Sequence, residues 1–261
     1  MHPVLAEILR SREVRTIDGQ SRQLHSNIDE AEGQFIQDVI RELKPRCSIE
    51  IGCAYGVSSL FICEALADVG AERHIIIDPY QLESDHEGPD SGYEGIGLLN
   101  LKRAGLDRIV DFHAELSFRC LPRLLEQGVK ADFAFVDGMH TFDYAFADFF
   151  FLDKMLGPGG VVIFDDLGYP SIRKLCRYIV RNLPYHPVGP AAGRQSGIKS
   201  ALKAVLPSLP IIRRFLKPEL TEPDTELGLP FVSYVALRKR SNDVLGDGTN
   251  GTRRWDHHQS F

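Results

Sequence analysis

Five short apolar runs recur along the chain with helix-length segments between them, and this alternation constrains the fold more than any other feature. Ser48 to Ile51, His74 to Ile77, Ile109 to His113, Ala131 to Val136 and Val161 to Phe164 read as strands. Helical segments are expected from about Val57 to Val69, from the Gly-rich loop near Gly92 to Ala104, from Phe118 to Glu126, from Phe142 to Met155 and from Ile172 to Asn182. Strands joined through helices run parallel, because a tight hairpin cannot return the chain in the same direction. The pattern therefore predicts an α/β fold with a mainly parallel sheet covered by helices on both faces.

The flanks depart from that rhythm. Pro3 to Arg12 reads as an amphipathic helix followed by a polar linker to about Leu24, and Ile28 to Leu43 as a second helix ended by Pro45. After Pro184, Tyr185 to Val188 and Phe231 to Leu237 are candidate sixth and seventh strands. The roughly 40 residues between them are too many for a structureless loop in a compact domain. They read as a partly helical insertion or lid at about 189–229, with short helices at Ser200 to Leu206 and Ile211 to Leu216. Residues 241–261 are polar and Gly-rich, and disorder is expected there. The organisation expected is thus an N-terminal helix and linker (1–27), one domain (28–240) and a tail.

Composition serves mainly to exclude. A chain of 261 residues, 43% hydrophobic, can bury one sizeable core. A net charge of −6 offers no global field to recruit nucleic acid, so no such partner is expected. The five cysteines are odd in number and scattered at 47, 53, 63, 120 and 176, which argues against a disulfide framework or a zinc site and suits a cytoplasmic setting. The first fifteen residues lack an apolar signal core, and no apolar run approaches the roughly 18 residues that span a bilayer.

Two strand ends carry the chemistry. Ala131 to Val136 ends on Asp137, turns on Gly138 and presents His140, while Val161 to Phe164 ends on Asp165 and Asp166. Parallel sheets bind ligands beyond the carboxyl ends of their strands, so these residues should lie at the rim of a site. The first strand leads into Glu50-Ile-Gly-Cys-Ala-Tyr-Gly56, whose glycines let a ligand approach the backbone while the next helix offers free amides. Asp78, ending the second strand, can accept both hydroxyls of a ribose; as a bland alternative it is a solvated turn acid before Pro79. The glycine spacing is not that of the dinucleotide fingerprint, which disfavours a nicotinamide enzyme. Taken singly, Asp137 also suits a helix cap or a cofactor contact without metal, and His140 a cap or a packed ring.

Together, the Glu50 to Gly56 turn, Asp78, Asp137-Gly-Met-His140 and the Gly157-Pro-Gly-Gly160 turn before Asp165-Asp166 resemble class I S-adenosylmethionine-dependent methyltransferases over roughly Ile28 to Leu237. The resemblance implies a Rossmann-like seven-stranded sheet of order 3-2-1-4-5-7-6 with strand 7 antiparallel. Its cofactor residues would be Glu50, Gly52, Ala54, Tyr55, Gly56, Ser58, Asp78, Ala114, Glu115 and Asp137. Within the superfamily, Ala31-Glu-Gly-Gln34 resembles the segment covering the site in catechol O-methyltransferases. Asp-Gly-x-His with a later Asp-Asp resembles instead the metal-dependent O-methyltransferases of sugar and other natural-product hydroxyls. The catechol enzymes have Asp-Asn at the later pair and a lysine base, so both departures favour the sugar type. By that likeness Asp137, Asp165 and Asp166 would hold Mg²⁺, with Asp137 and His140 as the catalytic pair and His140 as general base. Oxygen-only ligands independently suit a hard cation, and a hydroxyl bound to it loses its proton more easily to a nearby imidazole.

The function expected is methyl transfer from S-adenosyl-L-methionine to a hydroxyl of a small molecule or glycosylated product. The rivals are a metal-independent methyltransferase of the same fold and an inactive cofactor-binding module. Lys199, Lys203, Arg213, Arg214 and Lys217 form a basic amphipathic segment that suits a lid, an oligomer contact or a peripheral contact with an anionic membrane. A homo-oligomer is also compatible with the N-terminal helix.

Overall fold

The structure is a computed structural model, described for residues 1–25, 27–83, 92–189, 227–229 and 233–242. Its elements in chain order are α1 (Pro3–Ser11), β1 (Glu13–Arg15), β2 (Ser21–Gln23), α2 (Glu30–Leu43), β3 (Cys47–Ile51), α3 (Val57–Val69), β4 (Arg73–Ile77), α4 (Ile96–Arg103), β5 (Val110–His113), α5 (Ser117–Glu126), β6 (Ala131–Val136), α6 (Phe142–Met155), β7 (Leu156–Phe164), α7 (Pro170–Asn182), β8 (Tyr185–Val188) and β9 (Val235–Lys239). The seven strands from β3 onward form one sheet of order β5-β4-β3-β6-β7-β9-β8. Renumbered from β3, that is the expected 3-2-1-4-5-7-6. The chain divides into two compact units, Met1–Gly138 with Asp148–Leu156, and Met139–Ala147 with the chain from Gly157 onward.

In the first unit β5, β4, β3 and β6 pair in parallel, with Ile49 opposite Ile75 on one side and Ala134 on the other. Ile49, Ile75, Ile76, Phe133, Ala134 and Phe135 are fully buried, as expected where strands are covered on both faces. Helices α2 and α3 pack closely because Gly33 has no side chain. A Cβ there would stand 2.3 Å from the Phe61 ring. Asp29 caps α2 by accepting from the Glu32 amide at 2.8 Å.

In the second unit β9 runs antiparallel to both β7 and β8. Its span, Val235–Lys239, lies further along the chain than the expected Phe231 to Leu237. Apolar content alone stops at Leu237, whereas the ladder continues through Arg238 opposite His186 and Lys239 opposite Tyr185. Residues 230–232 lie outside the described set.

The segment expected to be a polar linker contains a hairpin, with β1 antiparallel to β2 around Thr16 to Gly19. Gly19 takes φ +84, and the Thr16 amide donates to the Gln20 carbonyl at 2.9 Å. Strands of three residues are too short for alternation to be visible, so only the Asp18-Gly19 turn signal marked them. The insertion helices, the basic segment from Lys199 to Lys217 and the tail from Asp243 lie outside the described residues. Among the described residues no helix is long and apolar enough to cross a membrane.

Asp148 of α6 is the costly member of the first unit's core. It is 2% exposed, and its Oδ1 has no hydrogen-bond partner. Burial pushes its carboxyl up to about 6, against the lowering effect of a hydrogen bond from Ser117. An acid whose folded pKa is raised binds its proton more tightly when folded, so its contribution to stability falls as pH rises from about 3.8 to about 6. Asp148→Asn should therefore gain on the wild type across that window, by up to about 3 kcal/mol at neutral pH. Urea unfolding at pH 4, 5, 6 and 7.5 measures this, and a difference independent of pH would refute it.

Candidate active site

The turn between β3 and α3 is built on backbone conformations that side chains resist. Gly52, Ala54 and Gly56 have φ of +88, +47 and +77. The Gly52 amide donates to the Ile77 carbonyl at 3.0 Å, and the Asp137 amide to the Ile51 carbonyl at 2.9 Å, so the ends of β4, β3 and β6 are tied side by side. A Cβ on Gly52 would lie 2.1 Å from the Asp137 carbonyl oxygen, and one on Gly56 would lie 2.8 Å from the Gly97 carbonyl oxygen. Both glycines are therefore fixed by close backbone approach as well as by φ.

Asp78 closes over this turn. Its Oδ2 accepts from the Cys53 and Ala54 amides at 2.9 and 3.0 Å, and its Oδ1 from the Tyr80 amide at 2.9 Å. Burial raises its pKa, against the lowering effect of those three amides. Oδ1 keeps a second lone pair, the one through which a ribose hydroxyl could be bound. Tyr55 is 2% exposed, its hydroxyl 2.9 Å from Nε2 of His25 and its ring edge-on to Tyr93 at 5.2 Å between centroids. Gln81 donates to the Ala54 carbonyl at 2.7 Å and accepts from the Gly97 amide at 3.0 Å. Asn100 donates to the Tyr55 carbonyl at 3.0 Å. His25, Gln81, Tyr93 and Asn100 carry no local motif, and only the polarity of the loops at 25, 81 and 93 marks their neighbourhood.

Glu50 and Ser58, both expected at the cofactor, are placed under the turn and bonded to each other at 2.6 Å. Ala114 is exposed beyond β5, and Glu115 pairs with Arg123. His113, Glu115 and Cys120 bring metal-capable atoms within 4.8 Å of one another. Arg123 already supplies a cation there, bonding Glu115 and reaching Cys120 Sγ at 3.6 Å, and burial pushes the Cys120 thiol up to about 12. That group is better explained as an ion-paired helix start than as a metal centre.

In the second unit, His140 Nε2 stands 3.2 Å from Asp166 Oδ2, and each side chain is a little over one-third exposed. Tyr169 stacks on the imidazole, with centroids 5.1 Å apart and planes 5° from parallel. Ser171 donates to the His140 carbonyl. Asp166 takes φ +55, and its amide donates to Asp165 Oδ1 at 2.6 Å. A left-handed non-glycine residue costs on the order of 1 kcal/mol or more and survives only where its surroundings hold it. Asp137 belongs to the first unit and precedes His140 by three residues of chain. Tyr169 escaped the sequence reading because nothing in Leu-Gly-Tyr-Pro marks a ring partner for a histidine 29 positions earlier.

This strand order, with the Gly52 to Gly56 turn and Asp78 at the carboxyl ends of β3 and β4, is that of the class I methyltransferase fold. Residues 49–167 match the family model described as a methyltransferase domain. Tapetum-specific methyltransferase 1 of Arabidopsis thaliana is 28% identical over 169 residues, and a caffeoyl-CoA O-methyltransferase candidate of the same plant is 26% identical over 165. Each alignment covers 63% of this chain, and the chain spans about 65% of the length of those relatives. An O-methyltransferase from Bacillus cereus, solved with S-adenosylhomocysteine, superposes with a TM-score of 0.54 at 18% identity, over 72% of this chain and 83% of that one. TomG from Streptomyces achromogenes, an O-methyltransferase of tomaymycin synthesis solved with S-adenosylmethionine, gives 0.51 at 18%, over 92% and 91%. The chain thus has the fold of class I S-adenosylmethionine-dependent methyltransferases, and its residues 49–167 match a methyltransferase domain.

Gly52→Ala tests the turn. The added methyl meets the Asp137 carbonyl, so binding of S-adenosylhomocysteine should weaken at least about tenfold, from strain of roughly 1–2 kcal/mol plus the clash. Titration calorimetry reading an unchanged affinity would show that this turn does not hold the cofactor.

Proposed function

We propose that the protein transfers a methyl group from S-adenosylmethionine to a hydroxyl of a small acceptor, with a divalent cation such as Mg²⁺ aligning the acceptor oxygen. The observation that carries the reading is the His140–Asp166 contact at 3.2 Å, held by the Tyr169 stack and a left-handed Asp166. An imidazole oriented by a carboxylate is a poised proton acceptor, and with Nε2 turned to Asp166 the proton is received at Nδ1. The relatives are named as O-methyltransferases, which favours oxygen over nitrogen as the acceptor atom.

The chain's residues have separable tasks. The Gly52 to Gly56 turn and Asp78 seat the methyl donor, Tyr55 bounds it, and the segment at Ala114 and Glu115 flanks its base. Asp137, Asp165 and Asp166 would hold the cation, an all-oxygen donor set that suits Mg²⁺. When bound, the cation supplies Lewis acidity that makes a coordinated hydroxyl easier to deprotonate. In the transfer the acceptor oxygen forms a bond to the methyl carbon, the carbon–sulfur bond breaks, its electron pair stays on sulfur, and the hydroxyl proton passes to His140. Little covalent work remains for the protein, so in-line positioning accounts for much of the acceleration. The acceptor is read as a sugar or other natural-product hydroxyl, since the chain carries Asp165-Asp166 and His140 rather than Asp-Asn and a lysine.

Formation of S-adenosylhomocysteine across a panel of phenols, sugars and glycosides is the test. His140→Ala should lower kcat by about a hundredfold or more while leaving donor binding intact. EDTA and Asp166→Asn should each abolish most turnover, with Mg²⁺ restoring the chelated enzyme. Full activity after chelation and in Asp166→Asn would replace this reading with metal-independent transfer.

A further inference from the structure

Beneath the cofactor turn lies a buried relay that the proposed reaction does not use. Ser48 and Glu50 share one face of β3, two residues apart, and His74 sits opposite Ser48 in the parallel register with β4. Ser48 Oγ is 2.8 Å from His74 Nδ1, and His74 Nε2 is 2.9 Å from Glu50 Oε2. On the other side Glu50 accepts from Ser58 Oγ at 2.6 Å through Oε1 and from Ser59 Oγ at 2.7 Å through Oε2. Ser48, Glu50, Ser59 and His74 are fully buried, and Ser58 is 6% exposed.

The order serine, histidine, acid is that of a hydrolytic triad, but no substrate reaches a serine with zero exposure. The arrangement has another use. A buried carboxylate costs several kcal/mol unless its lone pairs are filled. Here three donors occupy three of its roughly four acceptor sites, two from the first turn of α3 and one from β4. Gly56 at the N-cap of α3 offers no side-chain bond. The side chains that the first turn does aim inward, Ser58 and Ser59, end on Glu50, and among the described residues Glu50 takes from His74 the one donor that comes from outside the turn and helix. In a neutral imidazole with Ser48 donating to Nδ1, the proton is fixed on Nε2, facing the acid.

We propose that His74 is a positioning residue for the methyl donor: held by Ser48, it fixes Glu50, which in turn sets the first turn of α3 beneath the bound cofactor. The inference rests on the reading of the Gly52 to Gly56 turn as the donor site. It accounts for a charged and hydrogen-bonded cluster where a parallel sheet normally buries aliphatic side chains.

His74→Phe and His74→Gln separate positioning from mere packing. Phenylalanine keeps the ring and removes the donor, whereas the glutamine amide can still donate to Glu50. Calorimetry with S-adenosylhomocysteine should show about tenfold weaker binding for His74→Phe, with most of the affinity regained in His74→Gln. In turnover the KM for S-adenosylmethionine should rise in parallel, with kcat and the acceptor KM within about threefold of wild type. Should His74→Phe fail to fold, the cycle of His74→Gln with Ser59→Ala decides. The two share one carboxylate oxygen, so their effects on donor affinity should be non-additive. Wild-type affinity in His74→Phe, or strict additivity in the cycle, overturns the proposal. A wild-type protein that binds neither form of the cofactor sinks the donor-site reading itself, and this inference with it.

Discussion

The close approach of the Asp137 carbonyl to Gly52 is the constraint on which the first unit's site depends. Two parallel strands, β3 and β6, end side by side, and the chain leaving each must turn within a residue or two. Because Gly52 has no side chain, the turn after β3 folds back against the end of β6, with a Cβ excluded at 2.1 Å. The same contact fixes where Asp137 begins, and Asp137 leads in three residues to His140. The Gly52 turn and His140 are thus linked by a short stretch of chain whose first step is set by one missing methyl group.

Polar groups hold this region together, and they work as networks in which every carboxylate oxygen has a donor. Asp78 bonds three amides around the turn, and Glu50 takes three side-chain donors beneath it. Each would be destabilising if left partly unsatisfied, since an unmet buried charge costs more than the bond that would meet it returns. Asp148 shows the contrast. One of its oxygens lacks a partner, and its carboxyl is correspondingly driven toward the neutral form. The bonded acids lie at the β3–α3 turn, and the one with an unmet oxygen lies on α6, bonded to Ser117.

Most of the fold was legible because its signals are local. Apolar runs of four to seven residues, glycines at helix starts and acids at strand ends appear within short windows, and they located every strand of the main sheet, although β7 already begins at Leu156 and takes in the Gly157-Pro-Gly-Gly160 segment expected to be a turn. The β1–β2 hairpin escaped because three-residue strands carry no readable period. The end of β9 shifted because Arg238 and Lys239 pair with β8 despite their charge. Glu50 and Ser58 were legible as members of the turn, but their mutual bond was not. A side chain's direction at the base of a helix depends on the strand behind it, and the contribution of His74 comes from a register that no local pattern encodes.

The sequence by itself determined the alternation of strand and helix, the glycine turn and the order of acids along the chain, because each follows from residue type and spacing within a few positions. Only the tertiary structure decided which of those groups meet. It put His140 against Asp166 across 26 residues of chain, stacked Tyr169 on the imidazole, and joined Ser48, His74 and Glu50 into a relay. These are contacts between distant segments, selected by strand register and helix packing, and their geometry exists only once the sheet has formed.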